Sequence, residues 1–312
     1  MNQYQVAVLD DYQGVARDMA DWTSLESACD IQIFRDHIAD EQALIERLKP
    51  FHVVCLMRER TPMPRSVLAA LPNLRLLIST GKRNPSIDQQ AAQELGIALR
   101  FTDGSGNGAM EHTWALILSA MRNIVPEAQA VRQGAWQTAI GTDLIGSTIG
   151  IIGLGRIGSG MAKVANAFGM RVLAWSQNLT AERAAEHNAQ LVSKAELLRE
   201  SHIVTLHLPL SERSRGILGA DDLALMRPDA WLINTARGPL VDEAALIQVL
   251  RERKIAGAAL DVYDIEPLPA DHPFRTLDNV LATGHIGFVT RASYKVFYQQ
   301  TVQHITDWLA SA

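Results

Sequence analysis

The sequence predicts an α/β fold built from two doubly wound parallel sheets. Three observations carry this. Short apolar runs alternate with amphipathic stretches along most of the chain, the mark of strands joined by covering helices. One apolar run, 148–152, leads into Gly153-Leu154-Gly155-Arg156-Ile157-Gly158, then a helix-like stretch ending near Phe168, then a second apolar run at 171–175. Finally, 101–108 (FTDGSGNG) is a row of turn formers that separates the first hundred residues from the rest.

In the first part, strands are expected over 6–9, 31–34, 53–57, 74–79 and 97–100, with helices over 40–48 and 86–95. Pro62, Pro64 and Pro72 punctuate the turns. The stretch 109–122 is apolar nearly all round, with Trp114, Leu116, Ile117, Leu118 and Met121, so it should be buried on more than one side. A subunit interface would do that, and so would the core of one chain. A second helical stretch near 125–134 leads to Trp136. Beyond 175, helices at 180–185 and 194–200 flank a short strand at 190–192. Strands at 203–208, 230–234, 255–260 and 280–282 follow, with a helix over 242–251 that Asp242 should cap. The last helix, 291–309, spaces Tyr294, Phe297, Tyr298, Val302, Ile305 and Trp308 as a core face. The expected domains are 1–104 with 287–312, and 105–286 inserted between them.

Composition narrows the function. The chain is 47% hydrophobic and 20% charged, with a net charge of −5 and no Lys/Arg cluster, which argues against nucleic acid or an anionic membrane as partner. No apolar run approaches a membrane span, and the N-terminus carries no signal pattern. Cys29 and Cys55 form no CxxC and read as small buried residues in a reducing compartment, so cytoplasm is expected. The nine histidines show no metal-ligand spacing such as HExxH, and no metal is expected.

The glycine turn has the context that gives GxGxxG its meaning: strand, turn, helix, strand. Gly153 permits a tight turn, Gly155 lets a pyrophosphate approach the backbone, and Gly158 lets the helix pack on the strand. The helix N-terminus offers N–H groups and a positive dipole to phosphates. The expected ligand is a dinucleotide. Three further segments follow strands, where ligands of parallel sheets bind. Asn234-Thr235-Ala236-Arg237-Gly238 offers an arginine whose planar fork can hold a carboxylate. Asp261-Val262-Tyr263-Asp264-Ile265-Glu266-Pro267 offers Asp261 at a strand end and Glu266 before a proline, and Thr283-Gly284-His285-Ile286-Gly287 a histidine between glycines. Taken singly, these are ordinary surface or capping groups. A histidine paired with a carboxylate is a proton donor.

Together with His207-Leu208-Pro209-Leu210, Met110-Glu111-His112-Thr113 and the Gly134/Trp136 pair, these motifs resemble, in order and along the whole chain, the D-isomer-specific 2-hydroxyacid dehydrogenases of the glyoxylate/hydroxypyruvate reductase type. The resemblance implies a Rossmann dinucleotide-binding domain inserted into a flavodoxin-like substrate domain. It implies Arg237, Glu266 and His285 as catalytic residues: Arg237 on the substrate carboxylate and carbonyl, His285 as proton donor and acceptor, Glu266 as its orienting partner. It implies cofactor contacts from Gly153, Gly155, Arg156, Ile157, Gly158, Ser176, Gln177, Leu208, Pro209, Ser214, Thr235, Ala236, Asp261 and Gly287, with Asp261 on the nicotinamide carboxamide. It implies Gly81, Lys82 and Arg83 in the substrate loop, and a homodimer through 109–136. The activity implied is hydride transfer between NAD(P)H and a small 2-oxo acid. The alternatives are a dinucleotide-sensing corepressor-like protein, which would need none of the three catalytic residues, or a dehydrogenase of an unusual anion such as phosphite. Glu266 argues against formate dehydrogenase, which has glutamine there.

The chain departs from the family pattern at three places. Ser176, then Gln177 and Asn178, stand where NAD enzymes place a carboxylate for the ribose hydroxyls, which leans the reading toward NADPH, although the arginine that often accompanies that serine is missing. Gly81-Lys82-Arg83-Asn84-Pro85 replaces a glycine-rich loop whose N–H groups cradle the carboxylate, and Pro85 has none to offer. Lys82 or Arg83 could meet a second anion, but a changed turn with both solvated is the slightly favoured reading. Gly284 replaces the proline common before the histidine and should loosen that loop.

Overall fold

The computed structural model describes residues 3–104, 106 and 108–311. Ser105 and Asn107 of the expected linker, and with them the expected boundary after 104, lie outside the described residues. The chain forms two compact units, Met1–Gly106 with Val289–Ala312, and Asn107–Phe288.

The first unit holds a five-stranded sheet: β1 (Tyr4–Val8), β2 (Cys29–Ile33), β3 (Val53–Leu56), β4 (Leu76–Ser79) and β5 (Ala98–Phe101), in the order β2-β1-β3-β4-β5. Every pairing is parallel. β3 and β4 are buried at every position, as continuous apolar runs in a doubly covered sheet should be. One face packs Ala7, Leu9, Val54, Leu56 and Leu77 against Leu44, Leu48, Val67 and Leu68 from the helices. The helix Arg291–Ser311 belongs to the same unit and buries Tyr294, Phe297, Tyr298 and Ile305, with the Tyr298 ring tilted against Trp22.

The second unit holds seven parallel strands: β6 (Thr148–Ile152), β7 (Arg171–Trp175), β8 (Gln190–Leu191), β9 (Ile203–Leu206), β10 (Trp231–Asn234), β11 (Gly257–Leu260) and β12 (Val280–Ala282). Their order is β12-β11-β10-β9-β6-β7-β8. The two-residue period of the strands sorts the core into two layers. Ile152, Leu173, Val204, Leu206, Leu232, Ala258 and Leu260 face one layer. Ile149, Ile151, Val172, Ala174, Ile203, Ile233 and Ala259 face the other, where Trp114, Leu116 and Ile117 pack. The helix Gly108–Met121 is therefore buried by its own unit, against that second layer. The following helix, Ile124–Arg132, buries no residue at all.

Differences from the sequence reading are local. Three helices of four or five residues, Ala16–Met19, Arg65–Ala69 and Ala220–Leu223, have no counterpart in it, being too short to show a period. The expected helix at 86–95 begins only at Gln89, because the Asp88 side chain accepts from the Ala91 amide and caps it there. The helix after the glycine turn begins at Arg156, inside the motif, with Gly155 as its cap. Asp242 caps Glu243–Arg251 as expected.

Candidate active site

The glycine turn joins β6 to the helix Arg156–Ala167. Gly153 has a φ of +100°, in the left-handed region that favours glycine, and a Cβ there would meet the His207 carbonyl oxygen at 2.8 Å. A Cβ on Gly158 would lie 2.0 Å from the Gly153 carbonyl oxygen, so helix and turn touch only because that atom is missing. Around Gly155 a Cβ would meet nothing within 4 Å. The turn is thus tight at its first and third glycines and open at its second, beside a helix N-terminus. That shape and polarity fit a pyrophosphate. The Gly153 amide bonds to the Trp175 carbonyl, which ties the turn to the end of β7, where Ser176 is half-buried and Gln177 exposed. At the end of β9, Ser214 Oγ donates to the Pro209 carbonyl and accepts from the Ser211 amide, closing the turn that carries Leu208 and Pro209. His207 sits against Gly153, with Nε2 2.9 Å from Thr205 Oγ1, and burial pushes its imidazole down to about 3.

β10 delivers the arginine. Asn234, buried at the strand end, accepts from the Ala236 amide and donates to the Arg237 carbonyl, which fixes the turn in extended backbone. Arg237 is half-buried, and its Nη1 donates to the Ala236 carbonyl at 2.7 Å. Thr235 Oγ1 lies 2.7 Å from Thr113 Oγ1 on the helix Gly108–Met121. A Cβ on Gly238 would fall 2.1 Å from the Tyr263 carbonyl carbon and 2.6 Å from the Asp264 nitrogen. The arginine turn and the segment after β11 therefore meet backbone to backbone.

β11 and β12 deliver the carboxylate and the histidine. His285 Nδ1 and Glu266 Oε2 are 2.6 Å apart, both partly shielded from water. The other Glu266 oxygen accepts from the Tyr263 amide at 2.9 Å, so both oxygens are engaged. The Glu266–Pro267 peptide is cis. His285 has a φ of +53°, rare for a residue with a side chain, and such outliers gather at functional sites. Asp261, 1% exposed, anchors the loop: it accepts from Thr283 Oγ1 and from the amides of Ile286 and Gly287, which follow the outlier. His112 Nε2 stands 3.2 Å from the same carboxylate and 3.1 Å from Thr283 Oγ1. Burial pushes the Asp261 carboxyl up, but the bonds from His112, Thr283 and Ile286 outweigh it and hold the group below the usual carboxylate range. The Tyr263 hydroxyl adds a bond to the Thr283 carbonyl. Space is open around Gly284, yet the bonds at Thr283 and at Ile286 and Gly287 pin the loop on both sides.

The structure thus gathers Arg237, Asp261, Glu266 and His285 on neighbouring strand ends of one sheet. His112 and Thr113 were singled out only through the resemblance, and the bracing by Tyr263 and Thr283 left no signal in the sequence. In the first unit, the Gly81 amide donates to Thr102 Oγ1. A Cβ on Gly81 would strike Arg58 Nη1 at 1.8 Å, so that guanidinium lies directly over the glycine. Lys82 makes a long, exposed ion pair with Asp103, at 3.9 Å, and Arg83 is exposed. Asn84 is buried and donates to the Arg58 carbonyl. No helix among the described residues is long and apolar enough to cross a membrane, and no group of three metal-binding side chains occurs among them.

Comparison with known proteins agrees with this architecture. Residues 114–287 match the model of the D-isomer specific 2-hydroxyacid dehydrogenase NAD-binding domain. The chain is 40% identical over 235 residues to a glyoxylate reductase of Aeropyrum pernix, covering 72% of this chain and 70% of that one. It is 38% identical over 259 residues to a D-3-phosphoglycerate dehydrogenase of Methanocaldococcus jannaschii, covering 82% of this chain but only 49% of that protein. The chain spans about half the length of such phosphoglycerate dehydrogenases. Among solved structures, a phosphoglycerate oxidoreductase from Vibrio cholerae O395 superposes with a TM-score of 0.93 at 37% identity, over 99% of this chain and 100% of that one. The protein is an NAD(P)-dependent dehydrogenase acting on a CH–OH group. More narrowly, it belongs to the D-isomer specific 2-hydroxyacid dehydrogenase family.

Proposed function

We propose that this enzyme reduces a small 2-oxo acid of the glyoxylate or hydroxypyruvate type, and oxidises the D-2-hydroxy acid in reverse. The observation that carries the reading is the 2.6 Å contact between His285 Nδ1 and Glu266. It leaves Nε2 as the ring nitrogen that can face a carbonyl oxygen. Glu266 beside it holds the ring in one orientation. His285 then donates a proton to the substrate oxygen during reduction and, neutral, accepts it during oxidation. Arg237 binds the substrate carboxylate and polarises the adjacent carbonyl. The nicotinamide, when bound, supplies or takes the hydride. Asp261 holds the backbone of the histidine loop and borders the nicotinamide carboxamide, with Thr235, Ala236 and Gly287 nearby. The glycine turn with Arg156 and Ile157, and the turn of Leu208, Pro209 and Ser214, hold the rest of the cofactor.

NADPH is the favoured cofactor in this reading, because Ser176 and Gln177 end β7 without a carboxylate to repel a 2′-phosphate. The unit Asn107–Phe288 serves as the dinucleotide domain and the other as the substrate domain. Gly81, Lys82 and Arg83 border the substrate. A larger substrate with a second anionic group is the other reading, favoured by the Arg58 guanidinium lying over Gly81 and by the phosphoglycerate names among the relatives. A homodimer through 109–136 is supported by a helix with nothing buried and by the exposure of Ile124, Val131 and Trp136. Two buried free cysteines are consistent with the cytoplasm.

The test is loss of nicotinamide absorbance with NADH and NADPH separately, against glyoxylate, hydroxypyruvate, 3-phosphohydroxypyruvate and pyruvate. Turnover of the first two, faster with NADPH, is expected. Preference for the phosphorylated acid would move the substrate to the second reading, and preference for NADH would overturn the cofactor assignment.

A further inference from the structure

A second carboxylate–histidine pair stands behind the first. Glu243 opens the helix Glu243–Arg251 and is mostly shielded from water. One of its oxygens lies 3.1 Å from His272 Nε2, and the other accepts from the Asp264 amide at 3.3 Å. The ring of His272 can play only one part here. Its Nδ1 accepts from the Phe274 amide and caps the turn Pro273–Arg275, so Nε2 carries the hydrogen and donates to Glu243. One carboxylate thus receives donors from both ends of the segment 264–272. Glu266 lies inside that segment, two residues from the first anchor. Its own carboxylate is seated by the Tyr263 amide, next to that anchor. Arg275 holds the far part of the segment through the Leu268 and Pro269 carbonyls. The part that carries Glu266 has Glu243 as its brace.

We propose that Glu243 is a positioning residue for the proton relay: by spanning 264–272 with its two oxygens, it sets where Glu266 stands beside His285. The inference rests on the reading of His285 and Glu266 as that relay. A carboxylate suits the task because both partners are donors. A glutamine could satisfy only one and would turn an NH2 toward the other. An aspartate is one methylene too short to span both. The titratable and charged groups that act on Asp264, at one end of the brace, are Glu243, Arg215, Asp242 and His272. Burial, then the nearness of Glu243, pushes the Asp264 carboxyl up.

The experiment measures kcat, KM and their pH dependence for 2-oxo acid reduction in wild type, E243A, E243Q and H272N, with H285N and E266Q as controls. The shorter amide side chain of H272N keeps an acceptor for the Phe274 amide but cannot reach Glu243. In E243A, kcat should fall about tenfold, as expected when a reacting group is displaced by a fraction of an ångström, while KM for the nicotinamide cofactor stays within about twofold. The alkaline limb of the reduction profile should move, because the 2.6 Å contact of Glu266 with His285 is altered. E243Q should fall between, and H272N should move the limb the same way. Either variant decides the matter if E243A fails to fold. Profiles and kcat at wild-type values in E243Q and H272N, with H285N inactive, would overturn the brace alone. Full activity in H285N would overturn the relay itself.

Discussion

Replacing Gly238 by alanine places a methyl group where the structure has no room for it. The added Cβ would lie 2.1 Å from the Tyr263 carbonyl carbon, 2.3 Å from its oxygen and 2.6 Å from the Asp264 nitrogen, all backbone atoms. Ordinary contact begins near 3.4 Å, so the two segments must part by about 1.3 Å. Neither can move freely. Asn234 holds the Arg237 side, and the Asp261 amide is bonded to the Asn234 carbonyl. Overpacking of this kind costs about 1–3 kcal/mol of stability. The functional cost is separate. A displacement near 1 Å at Glu266 or Arg237 is worth about a hundredfold in rate, or roughly 2.7 kcal/mol of transition-state stabilisation. The assay is kcat/KM for 2-oxo acid reduction, normalised to folded protein, alongside the urea midpoint and cofactor affinity. Activity should fall about a hundredfold, the midpoint should drop, and cofactor affinity should hold within about threefold, since the glycine turn after β6 is untouched. A variant with lower stability but wild-type kcat/KM would refute the claim that this contact aligns the arginine with the relay.

Three further outcomes are expected. G155A should fold normally, because its methyl group enters open space, but bind NAD(P)H about tenfold more weakly through lost pyrophosphate approach; G158A should lose stability as well, its Cβ falling 2.0 Å from the Gly153 oxygen. Intrinsic fluorescence quenching by NADPH and thermal melts separate the two. The Asp261 carboxyl is held below the usual range, so its contribution to stability is full above about pH 3.9 and is lost as pH falls through its lower folded value. D261N should be destabilised by about 3 kcal/mol at neutral pH, and the gap to wild type should narrow only in acid; an equal gap at pH 7 and pH 3 would contradict this. His207 titrates near 3 instead of 6.5, so the unfolded chain binds a proton in that window that the folded chain refuses, and stability falls as pH drops from about 6.5 toward 3. H207Q should flatten that slope in pH-dependent urea melts.

The sequence made the two sheets legible because inner strands such as β3, β4, β6 and β9 are short runs buried at every position, and the alternation of Ile151 with Ile152, or Leu173 with Ala174, sends neighbours into opposite core layers. The glycine turn was legible because three glycines stand at fixed spacing between two strands, and the structure shows the steric demand at Gly153 and Gly158, where a Cβ would meet backbone atoms at 2.8 and 2.0 Å. Arg237, Glu266 and His285 could be named because each follows a strand and the series resembles a family. What could not be read is what arises only in three dimensions. His112 reaches Asp261 from 149 positions away, an approach fixed by how the helix Gly108–Met121 lies on the sheet. Nothing local to Gly238 announces that the Tyr263 backbone fills its missing side chain. Arg58 over Gly81 is of the same kind: two loops that meet only because β3 and β4 pair. Ser176 and Gln177 carry a weak sequence signal for a different reason, since their side chains can hydrogen-bond either form of the ribose.

In the proposed mechanism His285, oriented by Glu266, moves the proton. This step is tested most directly by comparing wild type and H285N in NADPH-dependent reduction of glyoxylate and hydroxypyruvate across about pH 5 to 10, with cofactor binding measured in parallel. Turnover in wild type should decline as pH rises, and H285N should lose about a thousandfold with cofactor binding intact and no pH limb remaining. Wild-type rates in H285N, or the same limb in both proteins, would contradict it.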